Sequence, residues 1–216
     1  MEPKLFRLKV NCTQRECPHF NSCPQIPTEV ISYTGKPEKI RMMFIGQGGG
    51  ADEERLHRPF IGVSGKRLRE KILPAVFKHL GKKFNYALSN TVRCRPPNNS
   101  KPDFTTFKLC RLYLKRDIVK LKPNLLITLG LSSSGDMCMH AHFKSLPLKA
   151  YHGTFWQSIV EGFPMMVTYH PSPLNSNPKI PKIIAKDIVR AYNALVEFKG
   201  KIDSIEYHRR HKDEII

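Results

Sequence analysis

The chain has 216 residues, enough for one α/β domain with a substantial core. Its 36 Lys and Arg against 18 Asp and Glu leave a formal charge of +18, well beyond what solubility requires, so a polyanion is the expected partner. No apolar run reaches the roughly 18 residues that a membrane-spanning helix needs, so no such helix is expected.

The basic residues are spread over Lys66–Arg69, Lys82–Lys83, Arg93–Arg95, Lys115–Arg116 and Arg209–Lys212, so the charge does not belong to one detachable tail. Met1-Glu2-Pro3-Lys4 lacks the apolar core of a secretion signal. The six cysteines are therefore expected in a reducing compartment, where metal or cluster ligation is favoured over disulfides.

In chain order, Cys12 to Pro24 packs three of those cysteines into an aperiodic, loop-like stretch that needs a staple to stay ordered. Arg41 to Ile45 is a short apolar run suited to a buried strand, and Lys66 to Leu80 has helical apolar spacing. Between them Gly46-Gln47-Gly48-Gly49-Gly50 forms a turn in which main-chain N–H groups can approach an anionic or planar ligand. Phe84 to Asn90 reads as a second strand, with Asn90 at its carboxyl end. Arg95 to Pro102 holds three prolines in eight residues and must be a loop.

A helix is expected from Asp103, its N-cap, to about Leu121. Leu125 to Gly130 has the apolar character of a buried parallel strand, followed by a weakly signalled helix to about His142. Tyr151 to Ile159 and Pro164 to Tyr169 read as further strands, the latter leading into His170-Pro171-Ser172-Pro173-Leu174. A last helix runs from about Pro181 to Lys199, and 201–216 is a charged tail. Strands alternating with helices imply a parallel sheet covered on both faces, with ligands beyond the carboxyl ends of the strands. Gln47, Asn90 and His170 all fall on that side.

Four cysteine thiolates are the usual ligand set for a [4Fe–4S] cluster or a structural zinc. Cys17 and Cys23 supply one pair, with Cys12 as a possible substitute for Cys17, and Cys94 and Cys110 the other; Cys138, between Met137 and Met139, reads as a core thiol. Spacing does not separate cluster from zinc.

Together these segments resemble the iron–sulfur branch, family 4, of the uracil-DNA glycosylase superfamily. That branch's Gly-Glu-Ala/Gly-Pro-Gly, acidic stretch and Arg-Pro-Phe-Val-Gly are similar to Gly46–Gly50, Asp52-Glu53-Glu54 and Arg58-Pro59-Phe60-Ile61-Gly62. Its Asn-x-Val-Lys-Cys-Arg-Pro-Pro looks like Asn90 to Pro97, its Cys-x-x-Tyr-Leu like Cys110 to Leu114, and its His-Pro-Ser/Ala like His170-Pro171-Ser172. The likeness runs in consistent order from about Cys12 to Arg190.

The resemblance implies a three-layer αβα sandwich around a central, mostly parallel four-stranded sheet, with residues 1–200 as a single domain that includes the cysteine-rich segment. It implies a monomer that flips a base from single- or double-stranded DNA and hydrolyses its N-glycosidic bond in base excision repair. The cell would be prokaryotic or phage-infected, and the protein cytoplasmic and associated with DNA. Phe60 would stack on the flipped base, Asn90 would read its Watson–Crick edge, and His170 would stabilise the leaving base. Gly46, Gln47, Gly48 and Gly49 would line the base pocket, while Ser172, Leu174, Arg58 and Arg95 would meet DNA. A [4Fe–4S] cluster, rather than zinc, would hold the loops.

Two departures bear on chemistry and specificity. Gln47 stands where the branch has glutamate, leaving Asp52 and Glu53 as carboxylates available to a water. Gly49 replaces proline, which is expected to widen the pocket toward bulky modified pyrimidines such as those of phage DNA; His57 also replaces a glycine. Loss of catalysis, leaving an iron–sulfur DNA-binding module, is the third reading.

Overall fold

The computed structural model describes residues 2–36, 41–96, 98, 100, 102–138, 148–160, 162–172 and 177–199. Leu174 and the tail 201–216 lie outside the described residues, as does the side chain of Cys138.

The strands are β1 (Lys4–Leu8), β2 (Thr28–Ser32), β3 (Met42–Gly46), β4 (Tyr86–Asn90), β5 (Leu125–Leu129), β6 (Phe155–Gln157) and β7 (Pro164–Thr168). They form one sheet in the order β1-β2-β4-β3-β5-β7-β6. The family resemblance implies a four-stranded sheet. The four central ones, β4-β3-β5-β7, are indeed parallel, and the antiparallel strands β1, β2 and β6 extend them to seven among the described residues.

β2 hides in the sequence because Thr28-Glu29-Val30-Ile31-Ser32 is fully buried yet largely polar. Its Glu29 side chain has no solvent exposure and is held by Arg58 and Arg69 at 2.9 and 2.6 Å. Those partners lie 29 and 40 residues away, so local pattern cannot reveal them. β6 is far shorter than the expected Tyr151–Ile159, because a turn occupies 151–153.

The helices are α1 (Ala51–Leu56), α2 (Val63–Lys66), α3 (Leu73–Leu80), α4 (Phe104–Leu121), α5 (Leu131–Cys138) and α6 (Ile180–Glu197), with a wide π-type segment, Arg67–Ile72, joining α2 to α3. Alternate β3 residues enter opposite layers. Met42 and Phe44 pack with residues of α3 and α6, whereas Met43 and Ile45 pack with Leu114 and Ile118 of α4 and Met137 of α5. That is the expected αβα sandwich. No helix among the described residues is long and apolar enough to cross a membrane.

Candidate base-binding site

The carboxyl ends of β3, β4 and β7 open onto a cavity of about 460 Å³. Gln47, Phe60, Asn90, His170 and Ser172, distant in sequence, all line it, together with Gly48 to Glu53. The parallel order of the central strands is what gathers them.

Gly46 ends β3 in close contact with two of these side chains. A Cβ there would lie 2.6 Å from Asn90 Oδ1 and 2.8 Å from the Phe60 ring, so only glycine lets amide and ring converge. Asn90 is 3 % exposed at the end of β4, and the chain after it is stitched to the glycine turn. Thr91 and Val92 donate N–H to the carbonyls of Gly46 and Gln47 at 2.9 and 3.0 Å, and Gly49 N–H donates to Cys94 O at 3.2 Å.

Phe60 adopts φ +55°, a conformation that a bulky residue holds only when its surroundings impose it. Arg69 from the π segment donates to the carbonyls of Phe60 and Pro59 at 2.8 and 2.9 Å. Glu53 accepts from Ile61 and Gly62 N–H at 2.8 and 2.7 Å and, through its other oxygen, from Gly50 N–H at 3.0 Å. The last contact is half of a capping box on α1. Glu53 therefore ties the glycine turn to the Phe60 loop, and its oxygens are engaged by backbone. Asp52, also at the cavity wall, is half-exposed and pairs with Arg55 at 3.2 Å.

His170 follows β7, and burial lowers its pKa below the usual histidine value of 6.5, so the ring is neutral at pH 7. Ser172 is positioned by Arg67, which donates to its carbonyl at 2.9 Å. Arg58 makes a bidentate ion pair with Glu29, at 2.9 and 3.1 Å, and Arg95 pairs with Glu54 at 3.2 Å.

Three of the four proposed ligand cysteines share one corner. Cys94 and Cys110 are buried with Val92 and Phe107, and Cys23 packs against them. Burial raises the pKa of Cys17, and Cys12 donates its N–H to Gln25 Oε1 at 3.0 Å. A hydrogen bond from the Cys94 thiol lowers the pKa of Cys23 to about 7, and the same contact, with burial, raises that of Cys94. No three ligand-type side chains among the described residues are grouped tightly enough to hold one metal ion. Arg93, 1 % exposed and paired with Asp117 at 2.9 Å, leaves its Nε buried with no hydrogen-bond partner in this corner. A donor set made of thiols suits a thiolate-held metal group.

A parallel α/β sheet that brings an aromatic ring, a buried amide and a neutral imidazole to one cavity defines a protein built to hold a planar polar ligand such as a nucleobase. Residues 33–195 match the uracil DNA glycosylase superfamily, and the chain belongs to that superfamily. It is 32% identical over 178 residues to the Type-4 uracil-DNA glycosylase of Saccharolobus solfataricus, covering 82% of this chain and 81% of that protein. It is 31% identical over 165 residues to that of Sulfurisphaera tokodaii, covering 76% and 73%, and 30% identical over 189 residues to that of Pyrobaculum aerophilum, covering 86% and 90%.

Proposed function

We propose that the protein is a monofunctional uracil-DNA glycosylase of base excision repair, acting as one domain through residue 200. It flips uracil out of DNA and hydrolyses its N-glycosidic bond to leave an abasic site. The observation that carries this reading is the convergence of Gln47, Phe60, Asn90 and His170 on one cavity, within a chain that aligns with Type-4 uracil-DNA glycosylases over most of its length.

Phe60 stacks on the flipped base, and the Asn90 amide pairs with O4 and N3–H of uracil. The neutral imidazole of His170 donates an N–H to O2, where negative charge develops as the bond to the sugar breaks. The sugar cation is then captured by water. Gln47 holds that water through its amide but takes no proton, so Asp52 is the carboxylate that receives it; Glu53 is committed to three backbone N–H groups. Backbone N–H groups of the glycine turn and Ser172 contact the base and the adjoining phosphate. The net charge of +18 draws in the DNA strand.

Cys17, Cys23, Cys94 and Cys110 would hold a [4Fe–4S] cluster, which when bound cross-links the N-terminal segment to residues 91–94 and to α4. Zinc holds each thiolate at about 2.3 Å, which crowds four ligands around one point. The four-cysteine set without histidine is the one that a [4Fe–4S] cluster usually takes.

The test is incubation with labelled single- and double-stranded DNA containing uracil or 5-substituted pyrimidines, followed by alkali. Alkali-labile product from uracil supports the proposal. Product from modified DNA alone would make it a modified-base glycosylase, and binding without product would make it a DNA-binding module.

A further inference from the structure

Two of the three motif departures, Gly49 and His57, meet the same segment, Pro24 to Ile26, which precedes the matched region 33–195. Gly49 has no left-handed backbone angle that would call for glycine. What bars a side chain is Ile26: a Cβ at position 49 would lie 2.2 Å from Ile26 Cδ1 and 3.2 Å from Glu53 Cβ. Ile26 is 1 % exposed, so its tip cannot swing aside without repacking. The space vacated at position 49 is thus filled from behind, and the widening expected from the sequence does not occur there.

His57 caps α1 in the left-handed conformation at φ +49°, where glycine is the easier residue. Its Nδ1–H donates to Pro24 O at 2.8 Å, so the side chain that makes the position strained also ties α1 to Pro24. The Pro24–Ile26 segment is fixed in turn: Ile26 N–H donates to Arg93 O at 2.9 Å, while Gly49 N–H donates to the next carbonyl, Cys94 O.

We infer that Pro24–Ile26 is the back wall of the base pocket and that Ile26 determines the size of pyrimidine the pocket admits. The size limit rests on the reading of the cavity as a pyrimidine site; the wall itself does not. With Ile26 in place the glycine turn cannot recede from the cavity. With Ile26 shortened it can, and room opens for a 5-substituent.

The experiment compares the wild type with Ile26→Val, Ile26→Ala, Gly49→Ala and the Ile26→Ala/Gly49→Ala double variant. Thermal midpoints are measured for all five, with excision rates on duplexes containing uracil, thymine or 5-hydroxymethyluracil. Shortening Ile26 is expected to raise the rate on 5-substituted bases relative to uracil in the order Ile, Val, Ala, by about 10-fold or more for alanine, the scale of a methylene-sized change in an apolar pocket. Gly49→Ala is expected to lower the midpoint and the uracil rate in the wild-type background and to do little beside Ile26→Ala. An additive cycle would overturn the wall, and unchanged discrimination in both Ile26 variants would overturn the size limit. If the wild type releases no base from any duplex, the functional reading and the size limit fall together, while the midpoints still decide the wall.

Discussion

The base cavity and the cysteine corner share residues 91–94, yet they are held in opposite ways. Around the cavity the protein supplies its own scaffold. Glu53 grips three N–H groups, Arg69 holds the Phe60 loop, and residues 91 and 92 are bonded to the glycine turn. In the cysteine corner Cys23, Cys94 and Cys110 lie together, while the stretch 12–24 offers little regular structure. The cavity is preorganised by protein alone, whereas the corner, on the proposed reading, relies on a bound cluster. Loss of the group should therefore weaken the fold, and loss of a cavity side chain should weaken the reaction.

The largest expected effect is that of His170→Ala. Removing a donor aimed at developing charge costs about 10²- to 10³-fold in rate, so single-turnover excision of uracil should fall by that range with DNA affinity and thermal midpoint little changed. An equal loss of rate and affinity would make His170 a DNA contact.

Asp52→Asn comes next, with a fall of about 10²-fold, the lower end for proton transfer by a side chain, and an unchanged midpoint. Glu53→Gln should behave in reverse. It weakens hydrogen bonds to a charged group worth about 1.5–3 kcal/mol each, so the midpoint should drop by several degrees, and whatever rate is lost should return on cooling. If the two variants exchange behaviours, the assignment of the water-activating carboxylate is wrong.

In the cysteine corner, Cys110→Ser should abolish iron binding and the absorbance near 400 nm that marks a [4Fe–4S] cluster, and should lower the midpoint. Zinc in place of iron in the untouched protein would refute the cluster.

The smallest effect concerns acid. Burial works to raise the pKa of Glu29, but Arg58 and Arg69 hold it below the usual 4.5. Its contribution to stability is therefore present above pH 4.5 and lost as pH falls through the lower folded value. Glu29→Gln should unfold more readily than the wild type near neutrality, with the gap narrowing below pH 4.5 in denaturant titrations.

The central strands were legible because β3 and β5 are apolar runs closed by glycine, and the site because Gln47 and His170 follow, and Asn90 closes, one of the parallel strands. β2 was not, since its buried Glu29 resembles a surface residue until the distant arginines are in place. Nor was α1, a six-residue helix whose Ala-Asp-Glu-Glu-Arg-Leu reads as a loop until Glu53 caps it. Ile26 carries no signal at all. An isoleucine between Gln25 and Pro27 becomes a pocket wall only when residues 93 and 94 bring it behind Gly49.

The most direct test is a single-turnover assay that measures free uracil and abasic sites from the same uracil-containing duplex. The wild type is expected to yield the two in equal amounts, and His170→Ala to yield both at least about 10²-fold more slowly. DNA binding by the wild type without release of uracil would contradict the account.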